Sequence, residues 1–217
     1  MNEDAQAKIV RLRDIVERCY QEKGGALLFH GWHHISFVQK KSIEFAQTVD
    51  ADLFLVESAA LVHDINYMVK KSSPPEAGAA LRFDLLTQAE YSSDEIQRIE
   101  DIILEADVAR RGAELSLEGQ ALSDADSLFK VLPITPVIFS AKYIAENKDD
   151  LLKLAQIIVR DQKPLIDGDI YFYTDLAKEK YLKWAQSNLE LWSQILESLH
   201  DPDIQELLQT ARKIGVL

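Results

Sequence analysis

The sequence predicts an all-α protein that folds as a single domain over its 217 residues. Apolar residues recur at spacings of three and four along nearly the whole chain, which is the periodicity of amphipathic helices. No repeat, low-complexity tract or linker divides the sequence. Hydrophobic residues make up 47% of the chain, which is enough to build the core of one domain of this length.

The first half of the chain predicts five helices, each from an apolar stripe and from the residues that start or stop it. The helices and their signals are Ile9 to Cys19 ended by Gly24-Gly25, a helix from near Trp32, Leu53 through Asp64 capped by Asp50 or Asp52, a helix opening at Pro75-Glu76, and Ile96 to Ile103 capped by Ser92 or Ser93.

The second half predicts helices of the same kind, separated from the first by the break at 110–112. They are Ser116 to Phe129, Val137 to Glu146, Asp149 to Asp161, Thr174 to Leu199, and a short helix from Pro202. Residues 164–173 show too little apolar alternation for a strand and are predicted to form an irregular link. The apolar stripe around Trp192 predicts a core face, and any exposed part of it could serve a homodimer.

The bulk charge limits the possible partners. The chain carries 24 basic and 36 acidic residues, a net charge of −12, which disfavours nucleic-acid polymers and anionic membrane surfaces. Cys19 is the single cysteine, so no intrachain disulfide is possible, and this suits a reducing compartment. The N-terminus lacks the pattern of a signal peptide, and no apolar run approaches the roughly 20 residues that span a bilayer. We expect a cytoplasmic protein.

Histidines cluster in one part of the sequence, at positions 30, 33, 34 and 63. His63 and Asp64 close an otherwise apolar helix, where such a pair is costly to bury unless it binds something, and a divalent cation is the simplest candidate. No histidine lies between Asp64 and His200, so carboxylates must complete any metal site. In the alternative interpretation, His63 pairs with a backbone carbonyl and Asp64 is a helix-end acceptor.

Further candidate ligands lie in two other predicted helices. His34 lies near the start of the second helix, and Asp124 and Asp126 lie in the sixth. A mixed set of imidazoles and carboxylates suits Mn²⁺, Fe²⁺, Zn²⁺ or Ni²⁺, whereas Mg²⁺ prefers oxygen ligands. Alternatively, His33 and His34 are one surface and one core histidine, and Asp124 is an ordinary cap or ion-pair partner.

These residues carry a resemblance to a known family. Residues 30–38 (HGWHHISFV) resemble the phrase HDxxHxxRV, residues 60–65 (ALVHDI) resemble ALLHDI, and residues 123–128 (SDADSL) resemble DADRLD. In content and order, the phrases are similar to those of the HD superfamily of metal-dependent phosphohydrolases. The resemblance covers about residues 28–130 and implies an HD-type helical bundle, with the extra C-terminal helices of 137–215 packed on it.

The resemblance also implies roles for particular side chains around one divalent ion (Mn²⁺, Fe²⁺, Ni²⁺, Zn²⁺ or Mg²⁺). The implied ligands are His34, His63, Asp64 and Asp126. Around these ligands, a second shell of His30, His33 and Asp124 is implied.

The sequence departs from the family pattern in ways that matter. Binuclear HD proteins have two further histidines, and here Pro75 and the pair Ala106-Asp107 stand at those places. The resemblance therefore implies one metal ion, and argues against a two-metal hydrolase or a di-iron oxygenase. Phe37 and Ser127 replace arginines of the phrases, which puts the family-typical salt bridges or phosphate contacts of those arginines in doubt.

We therefore expect a phosphohydrolase that attacks a phosphomonoester or a nucleotide with a metal-activated water. Asp64 is the central catalytic carboxylate, and Glu105, Asp107 or Glu76 is the candidate general acid or base. The candidate phosphate-binding cations are Lys70, Lys71, Arg110 and Arg111, with Lys130 and Arg82 as further options.

Two rival interpretations stay open. In the first, an HD-type domain binds a ligand or regulates a partner without turnover. In the second, the chain is a helical scaffold with incidental histidines.

Overall fold

The computed structural model describes residues 2–23 and 25–216, apart from the side chain of Ala109, and this described part is all helical without strands, as predicted. The helices are α1 Glu3–Glu22, α2 Trp32–Val49, α3 Leu53–Val62, α4 Asn66–Val69, α5 Ala79–Gln88, α6 Ser93–Ala106, α7 Leu117–Val131, α8 Ser140–Asn147, α9 Leu151–Asp167, α10 Asp175–Ser198 and α11 Pro202–Lys213. Gly24, predicted to help end the first helix, lies outside the described residues.

Several predicted caps are confirmed. Asp52 accepts hydrogen bonds from the first backbone amides of α3, and Ser92 forms a reciprocal capping box with Glu95 at the start of α6. Ser116 caps α7. The alternative cap, Asp50, instead ends α2 in the left-handed conformation at φ 59°.

The helix that carries the His-Asp pair ends earlier than predicted. The prediction ran through Asp64, but α3 stops at Val62 with His63 as its C-cap. The His63 ring nitrogen Nδ1 lies 2.9 Å from the Ala60 carbonyl oxygen, which is the group that a continuing helix would offer to the amide of Asp64. The side chain thus replaces a backbone donor, and the chain turns at the pair.

Two prolines behave differently from the predictions. Pro75 opens a 3₁₀ turn, Pro75–Gly78, and the α-helix begins only at Ala79. The irregular link is present but begins later than predicted, because α9 continues through Pro164 to Asp167 and α10 begins at Asp175. Leu165 and Ile166 pack against the main core, so tertiary contacts keep the helix intact despite the lost backbone donor.

The core forms around α2, which packs against α3 and α7, with α6 and α1 outside α3. A second, smaller apolar cluster of Leu154, Ala155 and Trp192 lies where α9 packs against α10. In the described part of the chain no single helix is long and apolar enough to cross a membrane, although the bent pair α7 with 135–147 together meets that length and composition.

A buried ion pair joins the C-terminal helices to α7. The Asp124 carboxylate accepts hydrogen bonds from Tyr173 N at 2.8 Å, Thr174 N at 2.7 Å and Thr174 Oγ1 at 2.8 Å. The Arg111 guanidinium lies 3.8 Å from the same carboxylate and donates to the carbonyl oxygens of Tyr171 and Ser123.

Two predicted site roles are therefore corrected. Asp124 holds the start of α10 instead of orienting a metal ligand. Arg111, whose side chain is 2% exposed, is structural instead of phosphate-binding. Both side chains bond mainly to backbone groups that the sequence alone could not identify as neighbours.

We expect Asp124→Asn to lower the free energy of unfolding by about 3 kcal/mol, because it leaves the buried Arg111 charge without its counterion. Urea unfolding followed by circular dichroism measures the change. Asp101→Asn, at an exposed position of α6, is the control and should stay within about 0.5 kcal/mol of the parent. A loss below about 1 kcal/mol for the Asp124 variant would contradict this account.

Candidate metal centre

The predicted ligands come from three helices that pack against one another. His34 lies in the first turn of α2, His63 and Asp64 follow α3, and Asp126 lies within α7. The turn into α2 depends on Gly31, because a Cβ at this position would lie 2.6 Å from the Leu27 carbonyl oxygen. The local sequence therefore places each candidate ligand on or next to its helix. The packing of the three helices then brings the ligands together.

Three of the four side chains, those of His34, His63 and Asp64, converge on one point, and Asp126 approaches this cluster from the side of His34. His34 Nε2 lies 3.2 Å from His63 Nε2, 3.0 Å from Asp64 Oδ2 and 3.5 Å from Asp126 Oδ1. His63 Nε2 lies 3.4 Å from Asp64 Oδ2. Ligand atoms held about 2.1 Å from one ion at angles of about 90–110° are themselves about 3.0–3.4 Å apart. The observed spacings are thus those of ligands sharing a single small cation.

Hydrogen bonding around the cluster also fits a cation. Asp64 Oδ2 is buried, yet no donor in the described part of the chain reaches it with hydrogen-bond geometry. His63 Nδ1 is paired with the Ala60 carbonyl, which leaves the Nε2 lone pair of the neutral ring directed at the cluster. His34 Nδ1 is buried and unpaired within the same residues, and its ring is oriented by edge contact with Phe129 at 4.6 Å between centroids.

The cluster favours ionised carboxylates. Burial would raise the pKa of Asp64, but the His63 and His34 imidazoles hold it well below its ordinary value. Burial would likewise raise the pKa of Asp126, and Lys130 together with His34 lowers it. Burial lowers the pKa of His34, whereas Asp64 raises the pKa of His63 against the effect of burial. Metal ligation needs anionic carboxylates and neutral imidazoles. The lowered pKa values of Asp64, Asp126 and His34 favour these states, whereas the raised pKa of His63 means that a cation would have to displace a proton there.

Lys130 is the cation nearest to the candidate ligands. Its Nζ lies 2.6 Å from Asp126 Oδ2, one helical turn along α7. Burial would lower the pKa of Lys130, but the Asp126 carboxylate raises it, so the ammonium is charged. Asp126 therefore presents Oδ1 to the cluster while its other oxygen is neutralised.

The cluster forms one wall of a cavity of about 380 Å³. Its polar end includes His63, Asp64, Asp126 and Lys130. The C-terminal helices contribute apolar and aromatic side chains to its lining, Tyr143, Leu154, Ile157, Ile158 and Trp192, which we call the apolar end, and beside them the polar Asp161 and Gln162. The cavity thus lies between the motif-bearing helices and the helices that follow them.

Sequence reasoning missed the C-terminal wall. The Trp192 stripe was interpreted as a core face, and it is indeed buried in the second apolar cluster, but the same residue also lines the cavity. No signal in the sequence separates these roles, because an apolar side chain that faces a core looks the same as one that faces a pocket. Tyr67, which follows the His-Asp pair, also lines the cavity.

The predicted phosphate-binding cations do not gather at the cluster. Lys70 and Arg110 are exposed to solvent, and the Lys71 ammonium donates to the Glu146 carbonyl oxygen at 2.8 Å. Arg111 is buried in the ion pair with Asp124. Lys130, which was only a further option, is the basic side chain that lines the cavity within the described residues.

The two main candidates for a general acid or base, Glu105 and Asp107, lie in different surroundings. Glu105 accepts hydrogen bonds from Ser116 N at 3.0 Å and from Ser116 Oγ at 2.5 Å, so it supports the cap of α7, and its predicted catalytic role is not supported. Asp107 lines the cavity and keeps its place as a candidate.

The two other N-terminal histidines differ in position. His30 is buried, lines the cavity and pairs with Glu146 at 2.5 Å through Nδ1. His33 is exposed and stacks on Phe139 at 5.2 Å between centroids. Burial lowers the pKa of His33.

Comparisons with known proteins agree on the fold. No protein-family model matches this chain. Over 103 residues the chain is 35% identical to the uncharacterized protein YpgQ of Bacillus subtilis, and this match spans 46% of the chain and 50% of the length of YpgQ.

Solved structures extend the similarity to most of the chain. The crystal structure of Bacillus subtilis YpgQ in complex with ADP has a TM-score of 0.59 and 23% identity, covering 91% of this chain and 99% of that one. The Lin1889 protein of Listeria innocua has a TM-score of 0.57 and 21% identity, covering 93% and 97%. Identities at this level establish the shared fold, and function has to be argued from the site.

Replacing Glu105 by alanine should lower the free energy of unfolding by about 1–2 kcal/mol, because Ser116 then loses the acceptor that supports the cap. Thermal and urea unfolding measure this effect. Glu114→Ala, in the exposed turn before α7, is the control and should be close to neutral. Unchanged stability of the Glu105 variant would show that the cap does not depend on this carboxylate.

Proposed function

We propose that this protein is a single-metal phosphohydrolase of the HD type and that its substrate is a nucleotide. One observation carries the proposal: a convergent cluster of two imidazoles and a carboxylate, with the Asp126 carboxylate beside it, borders a cavity that is also lined by apolar and aromatic side chains. A nucleotide has the same division into a charged phosphate end and a flat base. The structure of YpgQ with ADP, a protein of the same fold, supports a nucleotide ligand.

The residues that would hold the cation are His34, His63, Asp64 and Asp126 through Oδ1. A divalent cation bound there would act as a Lewis acid on a phosphoryl oxygen and would lower the pKa of a coordinated water. Lys130 lies beside Asp126 and offsets negative charge where the phosphate enters. Asp107, on the cavity wall, is the candidate for proton transfer.

The apolar end would hold the organic part of the substrate. Ile157, Ile158 and Trp192 present hydrocarbon and aromatic surface there. A purine or pyrimidine ring gains from leaving water for such a surface. Binding energy from this end would then position the phosphate against the cluster.

A second candidate function is a ligand-binding or regulatory domain with the same site and no turnover. The specific observation that favours it is the shortage of phosphate-binding cations at the cluster: Lys71 and Arg111 are engaged elsewhere, and Lys130 is already paired with Asp126. Phosphoryl transfer requires cations that stabilise the negative charge of the transition state. A site with few cations would therefore bind a nucleotide more readily than it would hydrolyse one.

The first test is a metal and activity measurement. We expect about one divalent ion per chain after purification with Mn²⁺, and turnover of nucleoside phosphates by this form. Asp64→Ala should lose the metal and reduce kcat at least about 100-fold, because it removes the oxygen shared by both imidazoles. Elemental analysis and phosphate release are the measurements.

The matched control is His33→Gln, an adjacent histidine that stacks outside the cluster and should keep both metal and turnover. Tight nucleotide binding without turnover by any metal form would favour the second candidate. A stoichiometry near two ions per chain would contradict the single-metal mechanism.

A second test concerns the apolar end. Ile157→Trp should fill this part of the cavity and raise KM for nucleotides about tenfold, while the inhibition constant of inorganic pyrophosphate, which has no base, stays within about twofold. The matched control is Gln156→Trp, at the preceding position of α9 and exposed to solvent. Equal weakening of pyrophosphate and nucleotides would show that the base does not lie at this end.

A further inference from the structure

Glu146 is a buried carboxylate outside the ligand cluster. It lies near the end of α8 and is 1% exposed. Its Oε2 accepts backbone hydrogen bonds from Phe29 at 2.7 Å and from His30 at 3.3 Å, and its Oε1 lies 2.5 Å from His30 Nδ1. Burial would raise the pKa of Glu146, but these hydrogen bonds lower it, so the group is an ionised acceptor.

Stacking fixes the His30 ring in the cavity. The ring lies parallel to Tyr67, with 3.7 Å between centroids and 14° between planes, and Phe29 contacts it edge-on at 4.9 Å. The centroid of the His34 ring is 6.0 Å away. His30, His63 and Asp64 line the same cavity, so His30 faces the space next to the candidate metal centre.

The hydrogen-bond network assigns the tautomer of His30. An ionised carboxylate can only accept, so the ring nitrogen beside Glu146 carries the hydrogen. In the neutral ring the other nitrogen, Nε2, is then a lone-pair acceptor. Within the described residues Nε2 has no hydrogen-bond partner and is not among the buried unpaired atoms, so it is open to the cavity.

We propose that His30 is a catalytic residue whose Nε2 accepts a hydrogen bond from the attacking water, and that Glu146 is a positioning residue that keeps Nε2 free of hydrogen. The inference rests on the proposed function. The bond that forms joins the water oxygen to phosphorus, the bond that breaks joins phosphorus to the leaving oxygen, and the released proton goes to solvent. The hydrogen bond aims the water at phosphorus, which a metal ligand alone does not do.

Further hydrogen bonds hold the end of α8, and Glu146 with it, in place. Lys71 Nζ donates to the Glu146 carbonyl oxygen at 2.8 Å, and Ser72 Oγ donates to Asn147 Oδ1 at 2.9 Å. The loop after α4 is therefore fastened to the end of α8 next to the cavity. Glu146 in turn fastens the segment before α2, so one helix end holds both loops that border the site.

The test is Glu146→Gln. The backbone amides of Phe29 and His30 need an acceptor and would take the amide oxygen, so the amide nitrogen would face His30 Nδ1 and move the ring hydrogen to Nε2. We expect kcat to fall about 100-fold or more, with KM within about threefold and metal stoichiometry unchanged, as for other imidazoles held in the wrong tautomer. ADP with Mn²⁺ is the first probe, followed by other nucleoside phosphates.

Nitrogen-15 NMR of the histidine rings shows which ring nitrogen carries the hydrogen, and so it measures the tautomer separately from turnover and stability. In the protein loaded with diamagnetic Mg²⁺, His30 should carry its hydrogen on Nδ1, and in Glu146→Gln on Nε2. Glu57→Gln is the matched control, because Glu57 is also a buried glutamate but pairs with Arg13 and Gln39 away from the cavity. This control should change neither kcat nor the His30 tautomer.

A second variant covers the case in which Glu146→Gln fails to fold. His30→Ala leaves the backbone hydrogen bonds of Glu146 in place and should lose kcat by a similar factor. Nucleotide turnover that survives unchanged in either variant, or a wild-type His30 with its hydrogen on Nε2, would overturn this inference alone. A wild-type protein that turns over no nucleotide with any metal would overturn the proposed function and this inference with it.

Discussion

One buried oxygen imposes the main constraint on this structure. Asp64 Oδ2 lies between the imidazoles of His34 and His63 without a hydrogen-bond donor in the described part of the chain. So many polar groups can meet only if three helices approach closely, and the fully buried Ala59, Ala60 and Ala125 allow that approach. The packing of α2, α3 and α7 is therefore inseparable from the cluster that it encloses.

The C-terminal helices complete the site. Two buried carboxylates join them to the motif-bearing part: Asp124 holds the start of α10, and Glu146 holds His30 from the end of α8. The cavity is lined both by the candidate metal ligands and by side chains of α9 and α10. Part of the cavity lining thus comes from a region with no motif.

The sequence predicted the helices well where local signals existed. Caps such as Ser92 and Ser116 are local, since a side chain bonds an amide three residues later. The continuation of α9 through Pro164 was not predictable, because it depends on core contacts of the residues that follow. The prediction of phosphate-binding cations failed for a similar reason. The sequence around a lysine or arginine does not show whether its partner is solvent, substrate or a buried backbone group.

The sequence by itself determined the all-α class and the order of the residues that could share an ion, because helical periodicity and short phrases are properties of neighbouring positions. Only the tertiary structure decided which groups meet. Asp124 and Asp126 are two positions apart, about 200° around one helix, and so one carboxylate faces Thr174 while the other faces His34. The pairing of His30 with Glu146 spans 116 positions, a distance across which no local pattern can act.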